Sequence, residues 1–160
     1  MKENRKIRGF RKALTSEFGK EKAERIMKDF WPRYEEILSE NPGESKELQE
    51  HSRDIIYPTV AMADALQKNG MNREEAVSWL YRWFEKEAEG EARSMQMMLK
   101  LPGAYRLVPG MFISTQEKSF GKNAGFESRI ILNEKNHTHF DMLKCPYNDL
   151  FRKYGLRHSG

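Results

Sequence analysis

One cysteine in 160 residues excludes an internal disulfide, and with it the small cross-linked scaffolds of secreted proteins. Long apolar runs are missing as well. No stretch supplies the ~18 consecutive apolar residues of a membrane span, and no apolar segment follows the basic start as it does in a secretory leader. Charge of one sign is also lacking: 28 Lys and Arg stand against 24 Asp and Glu, a formal +4 spread along the chain rather than gathered in a polybasic block. These absences together predict a soluble protein of a reducing cytoplasm with no membrane partner and no cage of thiolates around a structural metal. The phosphate-binding loop, the dinucleotide glycine fingerprint, the G-x-S-x-G elbow and the H-E-x-x-H zinc motif are absent too, so no cofactor motif is legible.

The 38% hydrophobic content is enough for one buried core, and the length fits one domain over residues 1–160. Residues 1–14 read as a basic arm carrying Lys2, Arg5, Lys6, Arg8, Arg11 and Lys12. No RNA-binding, zinc-finger or helix-turn-helix signature accompanies the arm, so it reads as a frayed, solvated start and a nucleic-acid partner is not expected.

Residues 15–101 read as the helical part. Phe18, Ala23, Ile26, Met27, Phe30, Tyr34, Ile37 and Leu38 recur at three- and four-residue steps until Asn41-Pro42-Gly43 stops them. Leu48, Ser52, Ile55, Thr59, Met62 and Leu66 continue the rule up to Gly70, a C-terminal cap, and Pro58 is expected to kink or divide that run. Asn72 and Glu75 have the spacing of a capping box for a third helix, which carries Val77, Leu80, Tyr81, Phe84 and Ala88 and runs to about Leu101. Met95, Met97 and Met98 near its end are expected to fill gaps in the core. Trp79 and Trp83, one turn apart, wall a pocket or simply pack.

Residues 102–160 read as a strand-rich part with a final helix. Phe126–Leu132 and His137–Lys144 form a hairpin across the turn-like Asn133-Glu134-Lys135-Asn136. Pro146 then opens a helix with Tyr147, Leu150, Phe151 and Tyr154 on one side and Gly155 at its end. The expected fold class is α+β: about three to four helices packed on a small antiparallel sheet, with a short helix after the last strand.

Chemistry concentrates near that last strand. With a side-chain period of two, His137, His139, Asp141 and Cys145 share one face, and Cys145 at a helix N-cap would face unsatisfied N–H groups that favour a thiolate. Two imidazoles, a carboxylate and a thiol suit acid–base or nucleophilic work. A buried structural cysteine and solvent-facing histidines are the plain alternative, and His51 reads as a satisfied structural histidine. The H-x-H-x-D spacing leaves a metal undetermined.

The segments EFGKEKAERI, YPTVAMADALQKNGMNREEAVSWL and KCPYNDLFRKYGL together resemble the L-2-amino-thiazoline-4-carboxylic acid hydrolase family, over about Thr15 to Leu156. Cys145, Pro146, Tyr147 and Gly155 are the positions that match its distinctive motif. The resemblance implies a helical part followed by a strand-rich part, and hydrolytic opening of a cyclic amidine. On that reading Cys145 attacks the amidine carbon, Asp141 holds the amidinium and His139 shuttles protons. Arg129 takes the substrate carboxylate, with Tyr147 and His137 beside the substrate, and a water activated by a divalent metal is another route to the same product.

The family pattern continues past this helix with a second cysteine and an acidic residue, where this sequence stops at Gly160. The resemblance thus implies a shortened member, or one whose remaining segment is not in this sequence. A competing reading is a non-catalytic module that binds a small molecule or a protein, and a homo-oligomer in which two chains complete one site stays open.

Overall fold

The computed structural model describes residues 3–103, 119–134 and 137–156. Helix α1 (Arg5–Phe18) occupies the stretch read as a basic arm. The Asn4 side chain caps it by accepting from the N–H of Ile7 at 2.9 Å, and Ile7, Phe10 and Leu14, spaced three and four apart, are buried. The arm is therefore a packed helix; its basic residues lie on the outer side of an apolar stripe too short to stand out beside the neighbouring one. Gly19, at φ 79°, turns the chain into α2 (Lys20–Glu40), where Ala23, Ile26, Met27, Phe30, Tyr34 and Ile37 are buried as their spacing predicts.

The run that Pro58 was expected to divide is divided in an unusual way. Helix α3 (Lys46–His51) passes without a break into a π-helical turn (Ser52–Ile56) and then into α4 (Tyr57–Lys68). Tyr57 donates its N–H five residues back, to Ser52. Proline has no N–H and its ring crowds the carbonyl four residues earlier, so a wider turn here relieves both demands. Two carbonyls that the π turn leaves over find other donors: Tyr34 Oη donates to Arg53 O at 2.8 Å, and Asn4 Nδ2 reaches Asp54 O at 3.4 Å. Helix α4 is buried nearly all round, from Tyr57 through Ala63, which makes it the centre of the helical body.

Gly70 ends α4, with Met71 N–H donating back to Leu66 O. Helix α5 (Arg73–Leu99) opens on the expected capping box of Asn72 and Glu75. Ala76, Trp79, Leu80 and Trp83 are buried, and Trp83 stacks at a tilt on Phe10 with ring centroids 4.3 Å apart. At Gly9 a Cβ would stand 2.8 Å from the Trp83 ring, so α1 crosses α5 at a separation only glycine allows. Past Trp83 the helix outruns its support. Met95 and Met97 are 52% and 64% exposed, contrary to the expectation that they fill the core, because α1 begins only at Arg5, which pairs with Glu91.

A 3₁₀ turn (Lys122–Ala124) leads into strands β1 (Glu127–Glu134) and β2 (His137–Lys144), paired antiparallel with register irregularities at Glu127/Ser128 and Ile130/Leu132. Helix α6 (Pro146–Lys153) follows, with Cys145 as N-cap and Gly155 in the left-handed region at φ 71°, both as expected. The fold is α+β with the predicted order of parts, and five helices precede the hairpin among the described residues. Its apolar residues Ile131, Phe140, Met142 and Leu143 are substantially exposed, so the β part joins the helical body chiefly through its flanks. Tyr147, Leu150, Phe151, Tyr154 and Leu156 of the α6 segment pack on the helical core. Among the described residues no helix is long and apolar enough to cross a membrane.

Candidate functional site around Cys145, Tyr147 and His51

Cys145 stands in extended conformation at the mouth of α6, a free, half-buried thiol. Its sulfur makes no hydrogen bond to the amides of the first turn, although the N-cap position offers them. Asp149 shares that first turn and its N–H donates to Cys145 O at 3.3 Å.

Tyr147, two residues on, points back into the helical body and meets His51 at the end of α3. Nδ1 of His51 lies 3.0 Å from the phenol oxygen, and Nε2 lies 2.5 Å from the carbonyl oxygen of Ser119. A carbonyl can only accept, so Nε2 carries a proton; in the neutral ring Nδ1 is then the acceptor and Tyr147 donates to it. The imidazole is 7% exposed and is walled by Phe120, Phe126 and Tyr147, with ring centroids 5.4, 5.1 and 5.6 Å away. Burial first, and then the negative charge of an ionised Cys145, push the Tyr147 phenol up to about 12. His51 is thus the satisfied, buried histidine expected from the sequence, but its partner is a residue of the Cys-Pro-Tyr motif.

A second polar group lies alongside. Glu44, whose side chain is 10% exposed, accepts from Ser52 Oγ at 2.7 Å and from Tyr57 Oη at 2.5 Å. Burial and that bond to Glu44 push the Tyr57 phenol well above the usual tyrosine range. Arg53 Nε is 3.8 Å from the same carboxylate. The far end of α6 is anchored too: Tyr154 Oη donates to Glu40 at 2.9 Å, Asn41 Nδ2 donates to Tyr154 Oη at 2.7 Å, and Lys153 Nζ reaches Asn41 Oδ1 at 2.7 Å. Neither Glu44 nor the His51–Tyr147 contact leaves a sequence signal, since the latter spans 96 positions.

The hairpin residues are placed differently from the compact set that strand parity suggested. Arg129 and Asp141, the cation and the carboxylate assigned to substrate, are cross-strand partners and pair with each other at 2.9 Å, Arg129 exposed and Asp141 partly so. His139 is exposed opposite Leu132. The side chain of His137 lies outside the described part. Residues sharing a strand face still advance along it: at ~3.3 Å per residue of regular strand, Asp141 is up to roughly 13 Å and His139 up to roughly 20 Å from Cys145 along the backbone. Among the described residues Tyr147, two positions on in the first turn of α6, is the expected partner nearest to Cys145 in the chain. No three His, Cys, Asp or Glu side chains among the described residues are grouped as metal ligands would be.

Comparison with curated proteins and with solved structures found no match. A family model does match, that of L-2-amino-thiazoline-4-carboxylic acid hydrolase, over residues 49–160. The matched span takes in His51, the π turn, the hairpin and the Cys-Pro-Tyr motif. It leaves out α1, α2 and the EFGKEKAERI segment that had carried part of the resemblance. Covering well over half of the sequence, the match shows that the chain belongs to the L-2-amino-thiazoline-4-carboxylic acid hydrolase family.

Proposed function

We propose that this protein is a hydrolase that opens a cyclic amidine carrying a carboxylate, of the 2-amino-thiazoline-4-carboxylate kind, with Cys145 as the attacking group. Family membership supports the reaction class. The observation that carries the residue assignment is the placement of a free thiol at the mouth of α6, two residues from a phenol that donates to a buried imidazole.

In such a ring the carbon bonded to sulfur and to two nitrogens is the electrophile. Attack by a thiolate there, followed by cleavage of the ring carbon–sulfur bond and hydrolysis of the enzyme-bound carbon, yields a ureido acid with a free thiol. Cleavage of the ring carbon–nitrogen bond would instead give a free amine and no thiol. Cys145 is half-buried, and the α6 residues Tyr147, Leu150, Phe151 and Tyr154 pack on the helical core beyond it.

The test is turnover of 2-amino-thiazoline-4-carboxylate followed by release of thiol, for the natural protein and for Cys145→Ser. Thiol release that disappears in the variant is the expected result. Full turnover by Cys145→Ser removes the covalent role, and binding without turnover by the natural protein moves the function to a ligand-binding module.

A further inference from the structure

We propose that the outward face of α5 is a self-association surface, on which α5 of a second copy of this chain packs antiparallel across a two-fold axis. The inference goes beyond the hydrolase reading and does not depend on it.

The helix is apolar on two sides. Ala76, Trp79, Leu80 and Trp83 face the body and are buried. Turned away from Trp79 and Trp83 runs a second stripe, Tyr81, Phe84, Ala88, Ala92, Met95 and Leu99, in steps of 3, 4, 4, 3 and 4 residues. At ~100° per residue these six fall within about 80° of the helix circumference. Tyr81 is 67% exposed; Ala88, Ala92, Met95 and Leu99 are exposed as well, and Phe84 is half-buried. A helix with apolar residues on both sides is built to be covered on both, and the body covers only one of them. The stripe also has the period of a helix partner. Tyr81, Phe84 and Ala88 are matched eleven residues on by Ala92, Met95 and Leu99. An eleven-residue repeat stays close to the natural turn of a helix, so the stripe faces one straight neighbour along its whole length.

Size and charge select a second copy, and its direction. An antiparallel copy centred between Ala88 and Ala92 sets Ala88 against Ala92 of the second copy, where small side chains let the backbones approach. Tyr81 then lies against Leu99 of the second copy at both ends, as an isologous interface requires. The same register brings opposite charges together. Glu85, Glu89, Arg93 and Gln96 border one side of the stripe, so Glu89 faces Arg93 of the second copy and Glu85 faces its Gln96. Glu89 and Arg93 pair within one helix at 3.2 Å, and beside their symmetry mates they form a square of alternating charge. On the other border Glu87 and Glu91 are already matched by Lys6 at 3.8 Å and Arg5 at 2.5 Å. Arg82 and Lys100 meet as like charges at the rim, where Arg82 has Glu17 of its own chain 3.7 Å away. A parallel pair would set the Glu85 and Glu89 border against Glu87 and Glu91, a worse match. With about 30 Å of paired helix the area falls below the ~800 Å² per partner of a standard interface, so a reversible dimer of micromolar affinity is expected.

Sedimentation equilibrium of the full chain from about 5 to about 500 µM tests this, with Ala92→Glu as the variant. Ala92 is exposed in the single chain and glutamate is a good helix former, so the variant is expected to keep its fold, which its melting temperature checks. The expected result is a monomer–dimer equilibrium for the natural protein, with Kd raised at least about 100-fold in Ala92→Glu, which buries an unpaired carboxylate twice in each interface. A natural protein that stays monomeric up to the highest concentration overturns the proposal, as does a dimer that Ala92→Glu leaves intact. Direction is read from a nitroxide on Lys100→Cys in a Cys145→Ser background. Antiparallel pairing sets the two label sites roughly 30 Å apart along the helix axis, from 20 intervening residue steps at ~1.5 Å each. Labels side by side, as in a parallel pair, would overturn the antiparallel arrangement.

Discussion

Gly9 of α1 lies so close to Trp83 of α5 that a methyl group on its Cα would stand 2.8 Å from the indole ring. The contact fixes how the first helix, which lies outside the family-matched span, crosses the long helix that lies inside it. Gly9→Ala sets two effects against each other. Alanine gains about 1 kcal/mol of helix propensity, while overpacking against a rigid ring costs about 1–3 kcal/mol. The expected outcome is net destabilisation, read as a lower urea midpoint with an unchanged slope. Greater stability would mean that the crossing yields easily.

The π turn depends on donors from outside itself. Tyr34→Phe removes the hydroxyl that satisfies Arg53 O and leaves that carbonyl without its partner. A loss of about 1–3 kcal/mol is expected by chemical denaturation. Faster amide exchange in residues 52–58 should accompany it, and exchange faster everywhere to the same degree would place the effect elsewhere.

Alkaline unfolding follows from the buried phenols. Burial raises Tyr34 and Tyr147 to about 12 in the folded protein, above the ordinary value of about 10 in the unfolded chain. A raised folded value means that the unfolded state gives up protons first, so stability is fully present below pH ~10 and falls as pH climbs from there toward ~12. Phenolate absorbance should show these two groups titrating late, together with Tyr57. All the tyrosines ionising near the ordinary value in the folded protein would contradict the burial.

The hairpin pair separates two locations for the chemistry. Arg129 and Asp141 bond each other on an exposed face. Asp141→Ala is expected to change stability by less than about 1 kcal/mol, as for surface ion pairs generally. On the α6-centred reading Asp141→Ala and His139→Ala leave most of the hydrolysis intact, whereas Cys145→Ser does not. A collapse of turnover in the hairpin variants would return the site to the strand face.

Helix α6 needs its rear anchor to hold Cys145 still. Tyr154→Phe keeps the ring and breaks the bonds to Glu40 and Asn41. Amide exchange in residues 146–154 is expected to quicken, with α1 to α4 unaffected. Unchanged exchange would show that the Tyr154 hydroxyl is dispensable and that the apolar contacts of Leu150 and Phe151, with the Tyr147–His51 bond, hold the helix.

Much of this architecture follows from local rules that operate within one or two turns. Apolar spacing defines α2, α4 and the start of α5; Asn72 with Glu75 and Pro146 with Gly155 mark helix ends, because capping and proline geometry are satisfied by near neighbours. The Cys-Pro-Tyr motif likewise declared both the family and the place of its thiol. Tertiary structure alone decided the rest. Phe10 becomes core by packing on Trp79 and Trp83 of α5, a contact no local rule foretells, and Met95 stays exposed beyond the reach of the other described helices. Strand parity put His139, Asp141 and Cys145 on one face as a rule of period, but a register shift at Glu127/Ser128 lies opposite the stretch between Asp141 and Cys145, and parity holds no information on distance along the strand. His51 and Tyr147, 96 positions apart, are joined only when α6 folds back on the π turn. Hydrogen bonds of that kind depend on where two elements pack, and packing is a property of the whole chain.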